Sequence, residues 1–204
     1  MPGKIVRTGV LYAAVTLGFL QSGQASAGTS SVGTTPVFIP PIVVTPSGAQ
    51  TGLNPQTTAA VVSSLNQATA FCSGLKSGEY VVDCLAERLE TISRQYAGIQ
   101  GYDKALQAIV DAAEQLNQIA RDNRSSTQRR ARFKSQTLGG PSTSRPLTPV
   151  ESAKMNTAIA DALVVIEETE TLLLRSADTS VEQAAQFQQI AEAIGSNKVL
   201  LRSV

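Results

Sequence analysis

The two cysteines, Cys72 and Cys84, are the residues whose chemical type and spacing are most informative in this sequence. Their spacing fits neither a thioredoxin-like redox pair nor a zinc-binding pattern with partner ligands. The segment between them contains Gly74, Ser77 and Gly78, which favour a turn. We therefore predict a disulfide that pins two antiparallel helices at their connecting turn. Two buried free thiols are the alternative.

The other groups that could do chemistry are carboxylates, because the sequence contains no histidine. This removes the commonest general base and the commonest metal ligand. The densest acidic group is Glu167, Glu168 and Glu170, with Asp161 before it. These carboxylates fall away from the apolar stripe of a predicted helix, so we interpret them as a solvated face. We predict no catalytic site, no cofactor and no metal, and a carboxylate-dependent enzyme is an alternative function.

A basic segment is the second candidate site, with cations at Arg121, Arg124, Arg129, Arg130, Arg132 and Lys134. We interpret this run as a solvated loop whose arginines interact with the dipole at a helix end. The alternative is an anion-binding function for these six, because a dense run of cations attracts anionic lipid headgroups, lipopolysaccharide or acidic proteins. Arg145 adds another cation, and Gly139, Gly140 and Pro141 interrupt any regular element. We expect residues 121–147 to form a long exposed loop.

Residues 1–27 have the parts of a secretory signal peptide. Lys4 and Arg7 provide a positive start, an apolar core follows at 10–20, and an Ala-x-Ala cleavage site ends at Ala27. The core is shorter than the roughly 20 residues that a membrane-spanning helix needs, so an uncleaved anchor is the less favoured alternative. We predict export to the bacterial periplasm, an oxidising compartment where disulfides persist.

Residues 28–52 form a leader rich in Ser, Thr, Gly and Pro, which we expect to be disordered or extended. Apolar residues between Pro36 and Pro46 could make it a docking peptide for a partner. We favour a tether whose apolar residues fold back on the domain.

Residues 53–204 predict one all-α domain, a four- to five-helix bundle with the disulfide-linked hairpin at its start. Apolar residues recur at helical spacing along five segments, and each series should form a buried helix face. The first three faces are Val61, Leu65, Ala68 and Cys72; Val81, Leu85, Leu89, Ile92 and Tyr96; and Tyr102, Leu106, Ile109, Ala113, Leu116 and Ala120. The fourth is Met155, Ile159, Ala162, Ile166, Thr169 and Leu173, widened by Leu163, Val165, Leu172 and Leu174, and the fifth is Val181, Ala184, Phe187, Ile190, Ala191 and Ile194. The charged residues of the second segment are expected on its outer side: Asp83, Glu87, Arg88, Glu90 and Arg94, the last two as a surface pair.

Helix ends are predicted from capping residues. Asn54 should cap the first helix, with Pro55 at its first position. Thr148 with Glu151 should form a capping box for the fourth helix, and Thr179 with Glu182 one for the fifth. Gly195 should end the fifth helix, and the tail beyond it should add one more turn or an extended strap.

Together these patterns predict an exported, non-catalytic helical protein that acts as a structural or protein-interaction module. Its partner would be an unidentified protein or an envelope component. Recognition of an anionic envelope ligand by the basic loop is the first alternative. Because an exported protein rarely meets nucleic acid, we expect none as a partner, and any membrane contact should be peripheral.

Overall fold

The computed structural model describes residues 53–135, 140–176 and 180–204. Within these ranges the chain forms five long α-helices and a short sixth: α1 (Pro55–Ser73), α2 (Val81–Gln95), α3 (Asp103–Asp122), α4 (Met155–Arg175), α5 (Val181–Gly195) and α6 (Asn197–Arg202). Short 3₁₀ turns at Gly78–Tyr80 and Ser152–Lys154 lead into α2 and α4. The all-α bundle predicted from the sequence is confirmed. The predicted signal peptide and leader lie outside the described residues.

The five long helices close into a ring around one core. Each helix packs against the next along the chain, and α5 returns to α1, while α6 packs mainly on α4. The core is built from Leu, Ile, Val and Ala, with Phe187 and Tyr102 as its largest fully buried side chains. The abundance of alanine at these contacts lets the helix axes approach closely.

The start of α1 follows the predicted capping chemistry, whereas the capping box predicted at Thr179 and Glu182 is wrong by one residue. The Asn54 Oδ1 atom accepts a hydrogen bond of 2.7 Å from the backbone N–H of Thr57, and Pro55 occupies the first helical position. Ser180, rather than Thr179, caps α5, because its Oγ atom accepts from the backbone N–H of Gln183 at 3.1 Å. Thr179 lies outside the described residues.

The predicted apolar faces of α1, α2 and α3 are confirmed, since every residue assigned to them is buried. Three residues assigned to the buried faces of α4 and α5 are exposed instead. Leu172 and Leu174 are 49% and 48% exposed, because α4 is covered on one side only. Val181 is 82% exposed, because it lies in the first turn of α5 beyond the reach of the neighbouring helices.

A polar network inside the bundle joins three helices. The Tyr102 hydroxyl, before α3, lies 2.7 Å from Thr58 Oγ1 on α1 and donates to the backbone carbonyl of Asn54 at 2.8 Å. Gln186 Oε1, on α5, accepts from Thr58 Oγ1 at 2.7 Å. Because a buried polar group is costly only when it lacks a partner, this arrangement stabilises one register of the three helices.

The predicted disulfide is present. Cys72 at the end of α1 is bonded to Cys84 in the first turn of α2, and both residues are fully buried. Their Cα atoms are 5.8 Å apart, within the usual range for a disulfide. The bond therefore pins the α1–α2 hairpin at its turn, as the sequence indicated.

The loop predicted at 121–147 is not exposed along its whole length. The helix α3 continues to Asp122, and the chain beyond it folds into an irregular antiparallel pair of segments, 124–134 and 142–150, which we call the basic ribbon. Backbone hydrogen bonds link its two segments, including a reciprocal pair between Ala131 and Leu147 at 3.1 and 2.8 Å. Its inner side is buried, at Ser125, Thr143, Leu147, Thr148 and Val150.

The predicted capping box at Thr148 and Glu151 is also wrong, and the ribbon explains why. The Thr148 backbone N–H donates to the Asp83 carboxylate, and the Val150 backbone N–H donates to the carbonyl of Glu79 at 2.8 Å. These bonds hold the chain extended past Pro149. Helical structure therefore begins later, with the 3₁₀ turn at Ser152–Lys154 and then α4.

Candidate anion-binding surface

Two carboxylates one helical turn apart on α2, Asp83 and Glu87, organise the attachment of the ribbon. Both are fully buried, and Arg88 beside them is 8% exposed, so the predicted outer positions of these three residues are wrong. The physical reason is that the ribbon covers the side of α2 that the apolar stripe leaves open. Val82 and Ala86 lie among these positions and are buried too, which is the sequence signal for a helix covered all round.

Asp83 is surrounded by donors from the ribbon and from α3. Arg145 donates two hydrogen bonds to it, at 2.8 and 2.7 Å, in the bidentate geometry typical of an Arg–carboxylate pair. Thr148 donates through its backbone N–H, and Asn117 donates through Nδ2 at 3.1 Å. The buried Asp83 carboxylate thereby has a charged partner and two further hydrogen-bond donors.

Glu87 holds the neighbouring stretch of the ribbon in the same way. It accepts hydrogen bonds from the Ser144 backbone N–H and Oγ, both at 2.7 Å, and from Arg88 at 2.5 and 2.6 Å. Arg88 also donates to the Ser142 carbonyl at 3.0 Å and lies 4.9 Å from the centroid of the Phe71 ring. The pair Glu87–Arg88 therefore ties the ribbon to α2 and to the end of α1.

Two groups of this cluster, Glu87 and Arg145, have shifted pKa values. Burial by itself raises the pKa of Glu87, but the hydrogen bonds from Arg88 and Ser144 outweigh it, so that this pKa lies below its ordinary value. The hydrogen bond to Asp83 raises the pKa of Arg145 above its ordinary value. Both groups consequently remain ionised, and their bonds to the ribbon persist.

A second set of contacts fixes the 124–134 segment of the ribbon. The Tyr80 hydroxyl donates to the Arg129 carbonyl at 2.7 Å, and the Tyr80 ring meets Phe133 edge-on, with centroids 4.9 Å apart. Gln128 Nε2 donates to the Glu79 carboxylate at 3.2 Å. The hydrogen bond from Ser77 is the largest cause of the lowered pKa of Glu79.

With its inner side bound, the ribbon presents its cations to solvent. Five of the six predicted anion-binding residues belong to it and are exposed: Arg124, Arg129, Arg130, Arg132 and Lys134. Arg121, the sixth, is exposed in the last turn of α3. Among the described residues, none of the six forms an ion pair. Their charge is therefore available to a ligand.

Two of the six cations line a groove between α2, α3 and the ribbon. This arginine groove has a volume of about 770 Å³. Its lining includes Arg121, Arg130 and Arg145, together with Glu90, Ser93, Val110, Ala113, Glu114, Gln115, Asn117, Gln118, Pro146 and Thr148. The structure thus separates the basic segment into an outer face on the ribbon and a concave site beside it.

The acidic group on α4 does not come together as a site. Glu170 forms an ion pair with Lys198 at 2.6 Å, whereas Glu167, Glu168 and Asp161 are exposed. No cluster of potential metal ligands occurs among the residues that the structure describes. The predicted surface pair Glu90–Arg94 is present at 3.6 Å.

Fold and site together define a disulfide-linked, all-α bundle with an attached basic ribbon. Comparison of the chain with protein-family models, with curated proteins and with solved structures finds no match. In the described part of the chain, no helix has both the length and the apolar character needed to cross a membrane. What the protein does must therefore be argued from its own geometry.

Proposed function

We propose that this protein is an extracytoplasmic, non-catalytic binding module that recognises an anionic component of the cell envelope through the basic ribbon. The disulfide between Cys72 and Cys84 supports an oxidising compartment. The predicted signal peptide at 1–27 and its cleavage site support export to the periplasm. Binding to an envelope component is then the function that best suits a surface of this charge.

The observation that carries this proposal is that the ribbon is fixed to the bundle while its cations stay exposed. The buried residues Asp83 and Glu87 fix the inner side of the ribbon, while its arginines and lysine remain exposed and without ion pairs among the described residues. A preorganised cationic surface loses little conformational entropy when it binds. Arginine is moreover suited to phosphate, because its planar guanidinium makes bidentate hydrogen bonds.

The buried carboxylates themselves support a structural role rather than acid/base catalysis. Each is saturated by guanidinium and backbone donors, and the lowered pKa of Glu87 keeps it from acting as a general acid near neutral pH. The role of these acids is to hold the ribbon in place, which is what a binding module requires.

Cosedimentation with anionic vesicles tests the proposal. The full chain should bind vesicles that contain phosphatidylglycerol, and lipopolysaccharide aggregates, more tightly than phosphatidylcholine vesicles at low salt. The binding should weaken steeply as salt is raised, because exposed charges are screened. Equal binding to neutral vesicles, or binding that salt does not change, would contradict the proposal.

A matched pair of triple variants makes the test specific. Replacement of Arg124, Arg129 and Arg132 by glutamine should weaken binding to anionic vesicles by roughly a hundredfold, since each cation near such a surface contributes about 1 kcal/mol. The control replaces Lys76, Lys104 and Arg175, which are equally exposed but lie off the ribbon. Equal losses in both variants would show a general charge effect and would reject the ribbon as the binding surface.

A further inference from the structure

The arginine groove has an uneven distribution of charge along its walls. Arg145 is engaged by the buried Asp83 carboxylate and lies 3.6 Å from Glu90, which Arg94 also approaches at 3.6 Å. The charge of Arg145 is therefore compensated within the protein. Arg121 and Arg130 line the same groove without ion pairs among the described residues, so they carry its available positive charge.

Arg121 is already oriented by the helix from which it projects. Its NH2 group donates to Gln118 Oε1 at 3.0 Å, and the Gln118 amide in turn donates to Asp122 at 2.7 Å. Such a chain of hydrogen bonds restricts the guanidinium while leaving other N–H groups unused, since an arginine has five. An anion in the groove would find a donor that is already positioned.

The α3 wall of the groove offers a different kind of recognition. Glu114 and Gln115 are exposed there and make no hydrogen bond to another described residue. A carboxylate accepts hydrogen bonds from hydroxyl groups, and a carboxamide both donates and accepts. Val110, Ala113 and Pro146 add apolar surface between these polar groups, against which the C–H face of a sugar ring can pack.

We infer that the arginine groove binds a sugar phosphate, with the phosphate at Arg121 and Arg130 and the sugar hydroxyls at Glu114 and Gln115. This inference rests on the proposed specificity for an anionic ligand and adds the class of ligand and its orientation. The phosphorylated sugar could belong to an envelope glycolipid or be a free metabolite. The groove volume of about 770 Å³ accommodates a group of this size.

Calorimetric titration of the full chain with soluble probes tests the groove separately from the outer face of the ribbon. Glucose 1-phosphate should bind at least about tenfold more tightly than inorganic phosphate, and glucose should bind more weakly than either, because charge-assisted hydrogen bonds are the stronger ones. Equal affinity for glucose 1-phosphate and phosphate would overturn the sugar site, and so would the absence of measurable binding.

Variants assign the two ends of the ligand. The double variant Arg121→Gln with Arg130→Gln should weaken glucose 1-phosphate binding by about tenfold or more. The double variant Glu114→Gln with Gln115→Ala should lower the affinity for glucose 1-phosphate toward the affinity for inorganic phosphate. The control pair Arg124→Gln with Arg132→Gln changes ribbon positions outside the groove. It should leave glucose 1-phosphate binding unchanged while weakening vesicle binding. An equal loss in this control would overturn the assignment of the groove.

The two proposals fail in different ways. Vesicle binding without glucose 1-phosphate binding would retain the ribbon surface and reject the groove. Glucose 1-phosphate binding without vesicle binding would retain the groove and assign the ligand to a free metabolite. If the chain binds both vesicles and glucose 1-phosphate, a competition experiment separates the sources of the ligand. Competition by glucose 1-phosphate against lipopolysaccharide, but not against phosphatidylglycerol vesicles, would identify the glycolipid as the source of the sugar phosphate.

Discussion

The Arg145 guanidinium makes two hydrogen bonds to the Asp83 carboxylate, from NH1 to Oδ2 at 2.8 Å and from NH2 to Oδ1 at 2.7 Å. The Asp83 side chain is inaccessible to solvent, and that of Arg145 is 28% exposed. One residue belongs to α2 and the other to the basic ribbon. The pair therefore connects the helical core to the surface that we propose for ligand binding, and the predictions below follow from such connections.

Removal of the arginine should destabilise the fold strongly. Arg145→Met leaves the Asp83 charge buried with Thr148 and Asn117 as its donors among the described residues, and we expect a loss of about 3 kcal/mol in the free energy of unfolding. Urea denaturation of the variant measures this loss. Arg132→Met, on the exposed side of the same ribbon, should change stability by less than about 0.5 kcal/mol. The double variant Asp83→Asn with Arg145→Met should recover part of the loss, and full additivity would argue against the pairing.

Acid should weaken the attachment of the ribbon through Glu87. Its pKa is lowered in the folded state from an ordinary value of 4.5, so its contribution to stability is complete above that pH and is lost as the pH falls through the lower, folded value. Glu87→Gln should therefore be less stable than the wild type at pH 7, and the difference should shrink below about pH 4.5. Thermal unfolding between pH 7 and pH 3 measures it. The exposed variant Glu114→Gln is the control, and a constant difference for Glu87→Gln would contradict the prediction.

Reduction of the disulfide should destabilise the α1–α2 hairpin. We expect a loss of about 2–4 kcal/mol, the usual effect of opening a disulfide of this kind. Denaturation with and without a reductant measures the loss. The variant Cys72→Ala with Cys84→Ala should be less stable than the oxidised wild type and should not respond to the reductant. A response in that variant would show that the reductant acts elsewhere.

The interior polar network should depend on one hydroxyl group. Tyr102→Phe removes the donor to the Asn54 carbonyl and the hydroxyl that lies beside Thr58, and we expect a loss of about 1–3 kcal/mol in stability. Tyr96→Phe is a matched control, because in the described part of the chain the Tyr96 hydroxyl bonds to Ser64 alone, at 2.9 Å in a partly solvated position. Equal losses from the two variants, measured by urea denaturation, would contradict a special role for the network.

Much of the bundle could be predicted from the sequence. The apolar residues of α1, α2 and α3 recur at helical spacing, and the cap at Asn54 with Pro55 is a local chemical pattern. The cysteine pair required only that two helices meet at a short turn. These features depend on residues close together in the chain, so their structure follows from local rules.

The same local rules failed where distant segments meet. Asp83, Glu87 and Arg88 have the charge of surface residues, and Glu87 has a close partner in the chain in Arg88. The donors that attach Asp83 and Glu87 to the ribbon belong to Ser144, Arg145 and Thr148, far along the sequence. The predicted capping box at Thr148 failed for the same reason. The Thr148 backbone N–H donates to Asp83, so it is not available to a capping box.

The sequence alone thus determined the helices, the inward faces of α1, α2 and α3 and the covalent link between α1 and α2, because helical periodicity and a short cysteine loop are local properties. Only the tertiary structure decided that a charged segment becomes an ordered ribbon and that two carboxylates become buried. The physical reason is that a buried charge is tolerated only beside a compensating one. Which partner compensates it depends on contacts between residues remote in the chain.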